Sequence, residues 1–334
     1  MEKCDENRVF CIFWGPRVYW GLRYIATTGD REQGRMTEVE ITRDFNLTDE
    51  QVIRCEMHSF TNLVNSIFYE LELLAGELGD PEAFSGEMRV CEQIVSSFRN
   101  RDQALESVHQ AESFARQILH AVRERIEGSG RTDLGEYSEN IERMMEVVEV
   151  RTREMLARFR MPGRWVDLDA SGIRDGLLQV LDAIAFSSHG RFGFVYDSGG
   201  SDSRYGFSLQ VEGARDGRVT MPPVFIDCLR DLVANARKYT KPGGTIEATL
   251  SQTEEGFSIK VKDTGLGIPE DEIQQVVEFG VRGSNVREIP TRGGGFGLTK
   301  VWYATRQYGG RLWITSAPGQ GTLVHVRVPR ADRT

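Results

Sequence analysis

The stretch Asp263-Thr264-Gly265-Leu266-Gly267-Ile268-Pro269 follows the alternating segment Phe257-Ser258-Ile259-Lys260-Val261-Lys262. Period-two alternation reads as a half-buried strand. A carboxylate at its end, then two glycines within three residues, gives a tight turn with bare backbone, because glycine takes φ > 0 and lets a ligand approach the main chain. Taken alone, the stretch reads equally as a hairpin turn with an incidental aspartate. The surrounding residues decide between the two.

With 334 residues, 40% hydrophobic and 27% charged, the chain has the composition of a globular protein of two domains. A formal net charge of -9 argues against a sequence-independent nucleic-acid binder, which needs a basic surface. The five cysteines, at 4, 11, 55, 91 and 228, form no C-x-x-C pair and no metal-like set with the five histidines, as expected of a reduced, cytoplasmic protein. The early apolar run from Val9 to Ala26 is broken by Pro16, Arg17 and Arg23, so no integral membrane segment is expected.

Residues 1–44 form a short segment whose role the sequence leaves open, although Val9–Trp14 reads as a buried strand. From Leu47, the residues Ile53, Met57, Phe60, Val64, Ile67, Leu71, Leu74 and Leu78 follow at steps of four and three. That is a heptad seam, expected in a bundle or coiled coil, with Asn46 or Thr48-Asp49 as its cap and Gly79-Asp80-Pro81 as its stop. A second helical region is expected over 82–126, interrupted at Asn100-Arg101-Asp102, and a third over 138–159. Met161-Pro162-Gly163 marks the boundary of a helical region, 45–162, from a C-terminal domain, 163–334. In that domain, helices at 171–184, 223–239 and 298–308 alternate with strands at 191–196, 205–211, 245–251, 257–263, 311–316 and 322–328. This order predicts an α+β sandwich, a mixed and mostly antiparallel sheet with helices on one face.

Within the helix from Asp227 to Tyr239, Asp231 and Asn235 stand four apart and share a face with Lys238 and Tyr239. An amide oxygen and a carboxylate are hard ligands suited to Mg²⁺, and lysine is a point charge for phosphate. The run Arg292-Gly293-Gly294-Gly295-Phe296-Gly297-Leu298-Thr299-Lys300 leaves free N–H groups at the start of an amphipathic helix, a setting suited to an anion. It is neither a Walker A loop nor a Rossmann fingerprint.

In this order, the features resemble the ATP-binding domain shared by sensor histidine kinases, gyrase-type topoisomerases, a class of heat-shock chaperones and mismatch-repair ATPases, the Bergerat-type fold. Residues 231–240 look like the N box and 263–269 like the first glycine box. Phe279-Gly280-Val281-Arg282-Gly283 looks like the F box, Gly293 to Leu298 the second glycine box, and Gly319-Gln320-Gly321-Thr322 the last. The resemblance implies that Asp263 accepts from the adenine amino group, Asn235 holds Mg²⁺, Lys238 reaches phosphate and Tyr239 packs on the base. It implies that Gly265 and Gly267 shape the adenine pocket, that the stretch from about 280 to 297 is a mobile lid whose Gly295 and Gly297 amides meet the phosphates, that Gly293 and Leu298 also bind the nucleotide, and that Thr322 sits near the adenine through Asp263 and water. Asp231 stands where the hydrolytic branches usually carry the glutamate that activates water.

A sensor histidine kinase also needs an acceptor histidine on a helical hairpin. His58, beginning His58-Ser59-Phe60-Thr61-Asn62-Leu63, resembles that acceptor, with the imidazole partly exposed on the bundle flank. The resemblance implies a homodimer through the helical region and transfer of the phosphoryl group to an aspartate of a response-regulator receiver. Two departures bear on activity. Ser59 stands where the family usually has an acid, and Asn62, four residues on, matches a position that orients water for receiver dephosphorylation. A nucleotide-gated interaction module, a phosphatase-leaning enzyme and a hydrolytic ATPase are the competing expectations.

Overall fold

The computed structural model describes residues 36–160, 163–186, 193–197, 204–287 and 294–330, which belong to one compact unit. The run from Val9, Cys4, Cys11, Met161-Pro162, His189 and Gly293 lie outside the described residues. The first described elements are β1 (Thr37–Glu40), α1 (Asp49–Leu78), α2 (Ser85–Ser97), α3 (Arg101–Ser129) and α4 (Gly135–Arg160). Next come β2 (Val166–Asp169), α5 (Ala170–Phe186), β3 (Gly193–Tyr196), β4 (Arg204–Glu212), β5 (Arg218–Met221) and α6 (Val224–Tyr239). The last are β6 (Thr245–Gln252), β7 (Gly256–Asp263), α7 (Gly297–Gln307), β8 (Arg311–Ser316) and β9 (Thr322–Pro329).

Local chemistry sets the helix ends. The Thr48 side chain accepts from the Gln51 N–H while the Gln51 side chain accepts from the Thr48 N–H, a reciprocal capping box, and Gly79 closes α1 in the left-handed region. Asn100 accepts from the N–H groups of Asp102 and Gln103, which restarts the chain as α3 after the break.

The α1 seam packs inside its own chain. Met57, Phe60, Ile67 and Leu71 are buried with Phe84, Ile118, Ile141 and Met145 in one core built from the four helices. The seam, expected to pack in a bundle or coiled coil, is thus covered by α2, α3 and α4 of the same chain. The additional helical region supplies that cover. Tyr69 and Leu73 are the exposed large apolar side chains among the described residues.

The C-terminal domain is a seven-stranded sheet in the order β1-β8-β9-β7-β6-β4-β3, with β3, β4 and β6 parallel and the other pairs antiparallel. A small ribbon joins β2 and β5. Leu177 of α5, Phe225, Leu229 and Leu232 of α6, and Val301 and Trp302 of α7 share one core with Phe207, Ile246, Ile259 and Val326 of the sheet. This is the expected α+β sandwich. Residues 37–44, assigned by sequence to a short N-terminal segment of open role, and Phe45, the first residue of the expected helical region, dock on this domain. β1 extends the sheet edge, Gln274 accepts from the N–H groups of Thr42 and Arg43, and Phe45 stacks on Trp302 with ring centroids 4.0 Å apart.

Buried charges join the helical region to the sheet domain. Asp227 of α6 receives Arg151 at 2.7 Å and Arg158 at 2.6 Å, both from α4, with Arg230 at 3.4 Å and Lys300 of α7 at 3.6 Å. Glu154 of α4 returns an ion pair to Arg230 at 2.6 Å. Burial alone would raise the Asp227 carboxyl, but Lys300, Arg151, Arg158 and Arg230 hold it far below the usual carboxylate range. Its contribution to stability is therefore present above its ordinary value of 3.8 and is lost as pH falls below it. Asp227→Ala, which strands buried cations, is expected to cost about 3–5 kcal/mol in urea unfolding at pH 7. That loss should shrink in acid as the native protein gives up the same contribution.

Candidate active site

One cleft gathers most of the expected site. It is partly open to solvent, and its walls include Asn235, Lys238 and Tyr239 of α6, Asp263 and Gly267 after β7, Gly295, Gly297 and Leu298 at the start of α7, and Thr322 of β9. Pairing of β7 with β9 sets Asp263 opposite Thr322. The Asp263 carboxylate accepts the Gly265 N–H at 2.7 Å, which fixes its orientation. At Gly267, φ is +67° and an added Cβ would lie 1.9 Å from the Ala317 carbonyl oxygen, so the turn closes only with glycine there.

Several expected residues lie elsewhere. Gly265 is behind the cleft wall, against the Tyr239 carbonyl. Asp231 does not line the cleft; its Oδ2 lies 2.9 Å from Lys300 Nζ, so its charge is committed to a buried ion pair. That pairing leaves it poorly placed to activate water. Gly293 lies outside the described residues.

His58 is the most informative placement. Expected on an exposed flank, it is only 9% exposed and forms part of the cleft wall, because the helical region docks α1 against α7. The Asn62 amide N–H donates to His58 Nε2 at 3.3 Å, which assigns the ring proton to Nδ1. The imidazole meets Phe296 edge-on at 5.6 Å, and Phe296 stacks on Phe279 at 4.4 Å. Burial lowers the His58 pKa; Asp231 opposes this, while Lys300 and Lys238 reinforce it. The ring is therefore neutral at pH 7, with a lone pair on Nε2. Sequence reasoning placed Phe296, Arg282 and Asn285 only within the lid stretch of about 280–297, with no individual role; all three line the cleft. Their positions within or beside the glycine-rich boxes were the available signal.

The cleft holds a lysine and a carboxyl whose pKa values are both shifted by burial. Burial, followed by the nearby Arg282 and Arg237 charges, pulls the Lys238 ammonium down to about 8. Burial raises the Asp263 carboxyl to about 6, against the lowering effect of the Gly265 and Thr322 backbone bonds. Residues 222–332 match the family described as histidine kinase-, DNA gyrase B- and HSP90-like ATPase. Over these residues the chain is similar to the histidine kinase-, gyrase B- and HSP90-like ATPases.

Curated relatives are similar over parts of the chain. The adaptive-response sensory kinase SasA of Synechococcus elongatus is 39% identical over 30% of this chain and 26% of its own length. SasA of Parasynechococcus marenigrum is 26% identical over 73% of this chain and 63% of its own length. The first of these matches thus spans about a quarter of its relative. The solved mycobacterial sensor histidine kinase MprB is 24% identical, covering 50% of this chain and 97% of that structure, with a TM-score of 0.37. No described helix is long and apolar enough to cross a membrane.

Two outcomes test the ATPase domain. The folded Asp263 value lies above the ordinary 3.8, so the cost of its buried charge is absent below 3.8 and complete above about 6. Its size is on the order of 3 kcal/mol. Asp263→Asn should therefore raise the apo melting temperature at pH 7 while weakening ATP binding about 10- to 100-fold, measured by calorimetry. In the wild type, ATP affinity should fall at acid pH as Asp263 protonates. It should fall again above about pH 8, where Lys238 of the free protein loses its charge.

Proposed function

We propose that the chain is a sensor-type histidine kinase that transfers the γ-phosphoryl group of ATP to His58 and then to an aspartate of a response-regulator receiver protein. The observation that carries this reading is the presence of His58 in the wall of the cleft that contains Asn235, Lys238 and Asp263. Its relatives named as sensory kinases support the same assignment.

In this reading, Asp263 accepts the adenine amino proton and Thr322 backs it, while Tyr239, Gly267 and Leu298 wall the base. Lys238 and the amides at Gly295 and Gly297 receive the phosphates. The donor set suits Mg²⁺, which uses few protein ligands and takes the rest from phosphate and water: the Asn235 amide oxygen is the hard donor, and no cluster of three acidic, histidine or cysteine ligands occurs among the described residues. When bound, the ion neutralises charge on the phosphates. His58 Nε2 uses its lone pair to form the N–P bond, the bond to the bridging β–γ oxygen breaks, and ADP leaves with that electron pair. The Nδ1 proton then passes to solvent, since Ser59 offers no carboxylate to receive it.

Release of Asn62 from the ring is part of that step, and the same amide is suited to orienting water toward a phosphorylated receiver. Ser59 and the Asn62 contact favour a second reading, a phosphatase-leaning protein or nucleotide-gated interaction module without efficient autophosphorylation. Homodimerisation, with the α1 seam already filled, falls to the outer face of α1 around Tyr69 and Leu73. A cytoplasmic location belongs to the same proposal.

Incubation with γ-labelled ATP should give acid-labile label that is abolished in His58→Ala and Asn235→Ala. Label that survives in His58→Ala rejects the acceptor assignment. Tight nucleotide binding without label, in a protein that accelerates receiver dephosphorylation, establishes the second reading.

A further inference from the structure

The position of His58 depends on a side chain far from it in sequence. Arg158, on the last turns of α4, is 13% exposed at its side chain. Its Nη1 donates to Asp227 Oδ2 at 2.6 Å, and its Nη2 donates to the Glu56 backbone carbonyl at 3.2 Å. Glu56 lies two residues before His58 on α1, while Asp227 lies two helical turns before Asn235 on α6. One planar guanidinium therefore connects the turn that carries the acceptor to the helix that carries the nucleotide ligands.

The two bonds need the arginine fork. A lysine ammonium offers a point charge on a flexible stem and does not hold two acceptors in one plane. A carbonyl has two lone pairs, so the Glu56 oxygen takes the Arg158 bond beside its own helical bond. Asp227 keeps Arg151, Arg230 and Lys300 when Arg158 is removed, so the buried carboxylate is not stranded. The bundle core is filled by helices of one chain, and α1 meets α7 of that same chain.

We propose that Arg158 is a positioning residue that holds His58 in the cleft of its own chain and makes phosphoryl transfer intramolecular. The proposal rests on the kinase reading for its chemistry. His58 Nε2 supplies the electron pair of the new N–P bond, ADP departs with the pair of the broken P–O bond, and the Nδ1 proton goes to solvent. Arg158 takes no proton and touches no reacting atom.

Three measurements on the full chain test this. In Arg158→Met, the melting transition stays cooperative and ATP affinity stays within about twofold, while the single-turnover rate of His58 labelling falls about 10- to 100-fold, the scale set by an ångström of misplacement. Arg158→Lys, which keeps the Asp227 ion pair but not the fork, gives an intermediate rate. A wild-type rate in Arg158→Met overturns the proposal. In a mixture of Asn235→Ala and His58→Ala chains, no label appears on the Asn235→Ala chain; label there shows transfer between chains and overturns the intramolecular step.

The third measurement does not depend on kinase activity. By NMR titration, the His58 pKa lies below its ordinary value in the wild type and moves back toward it in Arg158→Met, as the ring leaves the cleft. An unchanged titration overturns the positioning role. Absence of label in the wild type together with the shifted titration rejects the kinase reading and keeps Arg158 as the residue that seats His58.

Discussion

The carboxylate of Asp227 is the point at which the two halves of the protein become one. Four cations, Arg151, Arg158, Arg230 and Lys300, converge on it, and Glu154 and Asp231 balance part of their charge. Each of these groups loses hydration on burial, a cost that no single pair recovers. The arrangement becomes favourable only when α4, α6 and α7 assemble together. A partly docked helix would leave unpaired charge in a low-dielectric interior, so the cluster selects one relative placement of helices and sheet.

That selection has a functional side. His58 is neutral and nucleophilic because it is buried, and it is buried because the helical region is docked on the α7 end of the cleft. In the proposed kinase, a receiver protein could not reach a phosphorylated His58 enclosed in that cleft. Onward transfer would require the acceptor turn to leave, and a charge-rich contact suits such a reversible step. On opening, its groups regain water, whereas an apolar face of equal size would expose greasy surface and resist separation. The same contact that orders the first transfer therefore permits the second.

Much of this was readable from sequence where the physics is local. The capping box at Thr48, the break at Asn100, the αL glycine at 79 and the strand–turn reading of 257–269 each depend on a few adjacent residues. The cleft residues on α6 were legible because helical spacing places Asn235 and Lys238 near one face. What the sequence could not show is what covers a surface. The α1 seam announces an apolar stripe that must be buried, and its heptad period is the same whether a second chain or α2–α4 provides the cover. Arg151, Arg158 and Asp227 resemble ordinary polar helix positions, since their burial arises only when segments about 70 residues apart meet. Strand β1 is four residues long and pairs with residues 273 to 279 positions later, so no local pattern marks it as part of the sheet.

Asp263 illustrates how stability is given up for recognition. Its carboxyl, raised by burial to about 6, is ionised at pH 7 in a place that disfavours the charge. A fold optimised for stability alone would put a neutral amide here and keep the bond from the Gly265 N–H. The carboxylate is useful because the nearby backbone donors leave acceptor capacity unfilled, and an adenine amino group is a donor that can fill it. Guanine presents a carbonyl at the corresponding position, which would set two acceptors against each other in a confined space. In the proposed ATP site, that unfavourable charge would be the source of discrimination, since a ligand that brings a donor to that position relieves it.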